Sequence, residues 1–128
     1  MGATISKSFI EDFSRVEFST SLNFESFADK FLESLEENLE TLEQSEVLLD
    51  IHYSQGVLTI DMGIEGVWVI NKQSPNKQLW FSSPKSGPMR FYLDATDGKW
   101  RCTKNKDELV CILNRELSSV VGFQISLQ

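Results

Sequence analysis

Gly66-Val67-Trp68-Val69-Ile70-Asn71-Lys72-Gln73-Ser74-Pro75-Asn76-Lys77-Gln78-Leu79-Trp80-Phe81-Ser82-Ser83-Pro84-Lys85-Ser86-Gly87-Pro88 holds two short alternating runs parted by a turn. Trp68 and Ile70, then Leu79 and Phe81, recur at every second residue, the period of a strand with one buried face. Strands are predicted over 66–71 and 77–82. Ser74-Pro75-Asn76 interrupts them, because proline has no N–H for a ladder and Ser and Asn favour turns. Facing the other way are Val67, Val69, Asn71, Gln78, Trp80 and Ser82. That face is largely polar with a tryptophan in it, the make-up of an interaction anchor.

Working outward, the same period appears on both sides. Runs over 47–53 and 56–62 form a hairpin around Ser54-Gln55-Gly56, with Leu49, Ile51, Tyr53, Leu58, Ile60 and Met62 inward and Asp50, His52, Thr59 and Asp61 outward. Runs over 89–93 and 99–102 pair across Asp97-Gly98. The period then changes to that of a helix at both ends. Phe24, Phe27, Phe31, Leu35, Leu39 and Leu42 step by three and four over 23–43, with Asn23 as the expected N-cap and Glu25 in the first turn. Leu109, Ile112, Leu113, Leu117 and Val120 do the same over 106–121, ended by Gly122. The order helix, about six antiparallel strands, helix is an α+β two-layer sandwich with both helices on one sheet face. The opposite face is left to solvent.

The 128 residues, 41% hydrophobic and 24% charged, suit one ordered domain, expected over 22–128 behind a tail at 1–21. The start Met1-Gly2-Ala3-Thr4-Ile5-Ser6 matches a myristoylation pattern in form, but an artificially added start or the stub of a trimmed leader is the preferred reading. Glu11, Asp12 and Glu17 are foreign to an acid-poor presequence. No apolar run approaches the roughly 18–20 residues of a membrane span, so no membrane partner is expected. A pI near 4.7 argues against nucleic-acid binding, which needs a basic face. Cys102 and Cys111 are too few for a disulfide framework and wrongly spaced for zinc, and are read as buried small hydrophobes. A Ser-His-Asp triad lacks a nucleophile motif.

Charge is unevenly placed. From Glu25 to Asp50 nine acids face Lys30 alone; the whole chain carries −7, so the remainder is nearly balanced at +1. On a helical wheel Glu25, Asp29, Glu33, Glu36, Glu40 and Glu43 share one sector of about 80°, with Glu37 just outside it. The alternative to function is an ordinary solvated face. Such faces interleave Lys with Glu, however, whereas neighbours here repel at roughly 0.2–0.5 kcal/mol per pair. Carboxylates without imidazole or thiolate suit hard cations held weakly and partly hydrated. His52 shares its strand face with Asp50 and is an accessory metal candidate.

The quoted stretch resembles the frataxin family, in its mitochondrial rather than bacterial branch. The likeness extends to Gly56-Val57-Leu58-Thr59-Ile60, to the acidic first helix and to Asp97-Gly98-Lys99-Trp100. It implies the frataxin fold and a place in the mitochondrial matrix or a mitochondrion-derived organelle. It further implies weak binding of iron, Fe2+ or Fe3+, through Glu25, Asp29, Glu33, Glu37, Glu40 and Asp50, with Glu36 and Glu43 as additional acids. The implied partners are a cysteine desulfurase and the iron–sulfur scaffold protein, met through Asn71, Lys72, Gln73, Gln78, Trp80 and Arg90. The expected role is an iron-binding accessory factor that promotes sulfur transfer and iron delivery during cluster assembly, as a monomer or an iron-dependent oligomer. Two alternatives stand beside it: a ferroxidase and iron-storage enzyme using the acidic face, and an acidic adaptor with no metal role. Ferroxidase activity is credited to the family, but no di-iron E-x-x-H set occurs here.

Overall fold

The computed structural model describes residues 21–43 and 50–127. The predicted tail therefore lies outside the described residues except for Ser21, as do residues 47–49 of the first predicted strand. The elements are α1 (Ser21–Glu43), β1 (Asp50–Ser54), β2 (Val57–Asp61), β3 (Val67–Gln73), β4 (Gln78–Ser83), β5 (Gly87–Leu93), β6 (Trp100–Cys102) and α2 (Leu109–Val121). The six strands form one antiparallel meander in chain order. Each strand finds its partner through a short local turn, and residues 67–83 form the central β3–β4 hairpin.

Alternation sorts the sheet into two faces as expected. Leu58, Ile60, Trp68, Ile70, Leu79, Phe81, Phe91, Leu93, Trp100 and Cys102 are buried on one face. Over it lie Phe24, Phe27, Ala28, Leu32, Leu35 and Leu39 of α1 and Leu109, Ile112, Leu113 and Leu117 of α2. Phe24 meets Trp100 edge-on at 6.0 Å, an arrangement that aromatic quadrupoles favour beyond simple area burial. Ile51 and Tyr53 of the edge strand β1 are only partly covered by the core.

Three local expectations are corrected. Among the described residues α1 begins at Ser21, so Asn23 lies inside it and is not its N-cap, and Glu25 falls beyond the first turn. The second helix starts at Leu109, three residues later than the periodicity predicts. The chain before it is committed elsewhere: Lys106 is left-handed at φ 69° and Glu108 is extended and bridges back to Arg101. Cys111 is exposed on α2, its thiol donating to Glu108 at 3.3 Å, while Cys102 is buried.

Two polar devices fix the layers. Glu116 sits at a core position of α2, where its Oε1 accepts from Trp68 Nε1 at 2.9 Å and from Ser83 Oγ at 2.6 Å. Ser83 Oγ in turn accepts the backbone N–H groups of Lys85 and Ser86, shaping the β4–β5 turn. After Gly122 the chain doubles back along α2: Asn114 bonds both backbone groups of Leu127, and Ser118 Oγ accepts from Ile125 N. Ile125 and Leu127 are thereby buried. Gly66 is the position where the backbone admits no side chain, since a Cβ there would lie 2.6 Å from Pro84 at a φ of 119°.

Candidate functional site

Two surfaces carry the residues singled out by the sequence. On the first, α1 exposes Glu33, Glu37 and Glu40 and leaves Glu25, Asp29 and Glu36 half-buried where the helix leans on the sheet. The side chain of Glu43 lies outside the described residues. Asp50 and His52 are exposed on β1, in the same alternation class as Thr59 and Val69. Ile51 and Tyr53 face the helices instead. The edge strand thus aims Asp50 and His52 away from the layer that contains α1. Among the described residues no three His, Cys, Asp or Glu side chains converge closely enough to hold a metal ion. As far as its described residues go, the acidic face is a spread-out array of carboxylates and not a coordination cage.

The first turns of that array are occupied. Lys72 Nζ lies 2.5 Å from Glu25 Oε1 and 2.6 Å from Asp29 Oδ1. Ser74 Oγ donates to the other Glu25 oxygen. The hydrogen bond from Lys72, aided by that from Ser74, holds the Glu25 carboxyl below its ordinary value. Burial works against the Lys72 ammonium, but its bonds to Asp29 and Glu25 prevail and hold it above its ordinary value. Tyr53 stands beside this wall; burial first, and then the charge of Asp29, push its phenol upward.

The second surface is the open sheet face. Register places Asn71 opposite Trp80 and Trp80 opposite Arg90, one continuous row across β3, β4 and β5. The Arg90 guanidinium stacks 4.5 Å from the Trp80 ring, and Trp80 Nε1 donates to Gln78 Oε1 at 2.9 Å. Gln73 and Gln78 form the adjoining cross-strand pair. Val57 and Val67, both partly exposed, extend the face with apolar area. Beyond Arg90, Lys104 and Thr103 border a shallow depression with Pro88 and Met89. Tyr92 continues the cationic trend, with Lys106 5.3 Å from its ring. An aromatic plate backed by a planar cation, with flanking amides, can grip a partly acidic protein surface.

Of the six residues expected at a partner surface, Asn71, Gln73, Gln78, Trp80 and Arg90 are brought together here. Lys72 is not: it faces the helices and is committed to Glu25 and Asp29. The signal for this was in the alternation itself, because position 72 follows Trp68 and Ile70 inward. Glu116 was likewise missed, although it stands three residues after Leu113 within the apolar stripe of α2.

A family model described as a frataxin-like domain matches residues 17–123. The mitochondrial frataxin homolog of Saccharomyces cerevisiae is 40% identical over 97 residues, covering 74% of this chain and 55% of that protein. The mitochondrial frataxin of Caenorhabditis elegans is 39% identical over 103 residues, covering 77% of this chain and 75% of that one. The chain thus spans between about half and three quarters of the length of these relatives. Among solved structures, trimeric yeast frataxin complexed with ferrous iron superposes with a TM-score of 0.69 at 39% identity, over 75% of this chain and 86% of that one. A frataxin from Psychromonas ingrahamii, 20% identical, shares the fold with a TM-score of 0.72 over 85% of this chain and 98% of that one. A helix-capped, six-stranded antiparallel sheet with an acidic first helix and this central hairpin defines a frataxin-type domain. The chain belongs to the frataxin family, in its mitochondrial branch.

Proposed function

We propose that the protein is an iron-binding accessory factor that activates iron–sulfur cluster assembly in the mitochondrial matrix by docking on a cysteine desulfurase–scaffold complex. The observation that carries this reading is the separation of two surfaces on one rigid fold: solvent-facing Glu33, Glu37 and Glu40 on α1, and the Asn71–Trp80–Arg90 row on the open face of the sheet. Iron is cargo in this scheme. Spread carboxylates bind it weakly and keep much of its water, so it can be handed on. The yeast relative crystallised with ferrous iron lends support. The acidic face also complements a basic desulfurase surface, speeding encounter in a salt-dependent way, while Trp80 supplies the buried anchor. Such a factor needs no catalytic group; it acts by changing what its partners do. The test is cysteine turnover by the desulfurase–scaffold complex with and without this protein at several iron concentrations. A rate increase supports the reading, and no increase at any iron level removes it. Oxygen consumption with ferrous iron, well above that of a Glu33→Gln/Glu40→Gln variant, would move the assignment to a ferroxidase.

A further inference from the structure

The acids of α1 do not share one environment. Glu25 has both carboxylate oxygens engaged, Oε1 by Lys72 and Oε2 by Ser74, and Asp29 gives Oδ1 to the same ammonium. Lys72 is delivered there by the fold and does not simply swing in from solvent. It follows Trp68 and Ile70 onto the inner face of β3. Its backbone N–H donates to Gly56 O at 2.8 Å, and its stem lies against Gly56, where a Cβ would sit 3.4 Å from Lys72 Cβ and Cε. The side chain is 18% exposed, and among the described residues its ion pairs are with Glu25 and Asp29. About one, two and three helical turns further on, Glu33, Glu37 and Glu40 are exposed.

We propose that Lys72 is the resident counter-cation of Glu25 and Asp29, closing the first turns of the acidic face to metal ions and leaving cation binding to the acids from Glu33 onward. This rests on the reading of α1 as a cation-binding face. A divalent ion needs several free oxygens at roughly 2.0–2.6 Å, and it is repelled by an ammonium already at that distance from the same carboxylates. Evicting Lys72 would strand a half-buried charge on the helix side of the sheet. Sequence charge therefore overstates the binding array: the acids nearest the N-terminal end of the described helix tie α1 to β3, and those beyond them meet the cargo.

The test is a titration with Mn2+ alone, read as free Mn2+ by electron paramagnetic resonance, on the full chain. Thermal melts verify that each variant is folded. Asp29→Asn in the native background should leave Mn2+ binding unchanged, whereas Glu33→Gln should weaken it. Lys72→Met should add binding, with a gain on the order of tenfold in apparent affinity or one further equivalent, equal to about 1.4 kcal/mol per tenfold. Asp29→Asn in the Lys72→Met background should erase that gain. Lys72→Arg should behave as native, and Lys85→Met, which removes the same charge elsewhere, should not reproduce the gain. The proposal is overturned if Asp29→Asn alone weakens binding as much as Glu33→Gln. It is also overturned if Lys72→Met gains no more than Lys85→Met. A native chain that binds no Mn2+, and is indifferent to Glu33→Gln, would instead remove the cation-binding reading of α1, while a Lys72→Met gain erased by Asp29→Asn would still uphold the closure.

Discussion

Trp68 and Trp80 stand on neighbouring strands and face opposite ways, and their indole N–H groups meet different fates. Trp68 is fully buried and donates to the buried carboxylate of Glu116, which also accepts from Ser83. Glu116→Gln keeps an acceptor in place and should cost little. Glu116→Ala leaves two buried donors without a partner and should cost about 2–3 kcal/mol in urea unfolding. Equal, small losses in both variants would show that the network contributes nothing specific. Trp80 is half-exposed and donates to Gln78, whose amide water can satisfy. Trp80→Ala should therefore cost about 1 kcal/mol of stability, yet about 2 kcal/mol or thirtyfold in binding to the desulfurase–scaffold complex. Arg90→Ala and Asn71→Ala should follow the same pattern. A Trp80→Ala variant that fails to fold would place this residue among the structural ones.

At the scale of elements, α1 is both a core helix and a repulsive one. Glu33→Gln with Glu40→Gln relieves several like-charge neighbours and should stabilise the fold by about 0.5–1.5 kcal/mol, a rise of a few degrees in melting temperature, while weakening iron binding. A fall in melting temperature would mean that these carboxylates make structural bonds. The α1–β3 tie has its own pH signature. Glu25 has a depressed folded value, so its contribution is complete above its ordinary 4.5 and is lost as pH falls through the folded value. Lys72 is raised, so its contribution holds below its ordinary 10.5 and is lost only as pH climbs past the folded value. Lys72→Met should thus destabilise at neutral pH and show a shallower loss of stability below about pH 4.5 than the native chain. Parallel curves would contradict the tie.

The elements themselves were largely legible from period alone, because each strand of the meander pairs with its sequence neighbour and both helices carry clear apolar stripes. What was not legible came from long-range or local override. The start of α2 was displaced by the left-handed Lys106 and the Arg101–Glu108 bridge. The return of the C-terminal segment depends on Asn114 and Ser118 meeting backbone groups that no periodicity announces. Lys72 and Glu116 are charged residues at inward positions whose partners lie 33 to 48 residues away, and a charge read without its partner looks like surface.

For the molecule as a whole, charge is uneven: α1 is strongly acidic, and the remainder is nearly balanced, with Asp94 and Asp97 paired to Arg101 and Glu108 to Lys99. Acids crowd α1, while Arg90, Lys104 and Lys106 gather around the β5–β6 end of the open face. A body polarised in this way orients as it approaches a partner, so activation of a desulfurase complex should weaken as salt rises from low to physiological levels. The central claim is that the sheet face supplies the docking anchor and the helix face, which also steers encounter, carries the iron. The measurement that tests it most directly is cysteine turnover by the desulfurase–scaffold complex with native protein, Trp80→Ala and Glu33→Gln/Glu40→Gln, across an iron series. Trp80→Ala should remain folded and bind iron normally, yet at every iron level need about thirtyfold more protein than the native chain for the same activation. The paired Gln variant should still dock but lose the response to iron. Normal activation by a folded Trp80→Ala protein would contradict the account.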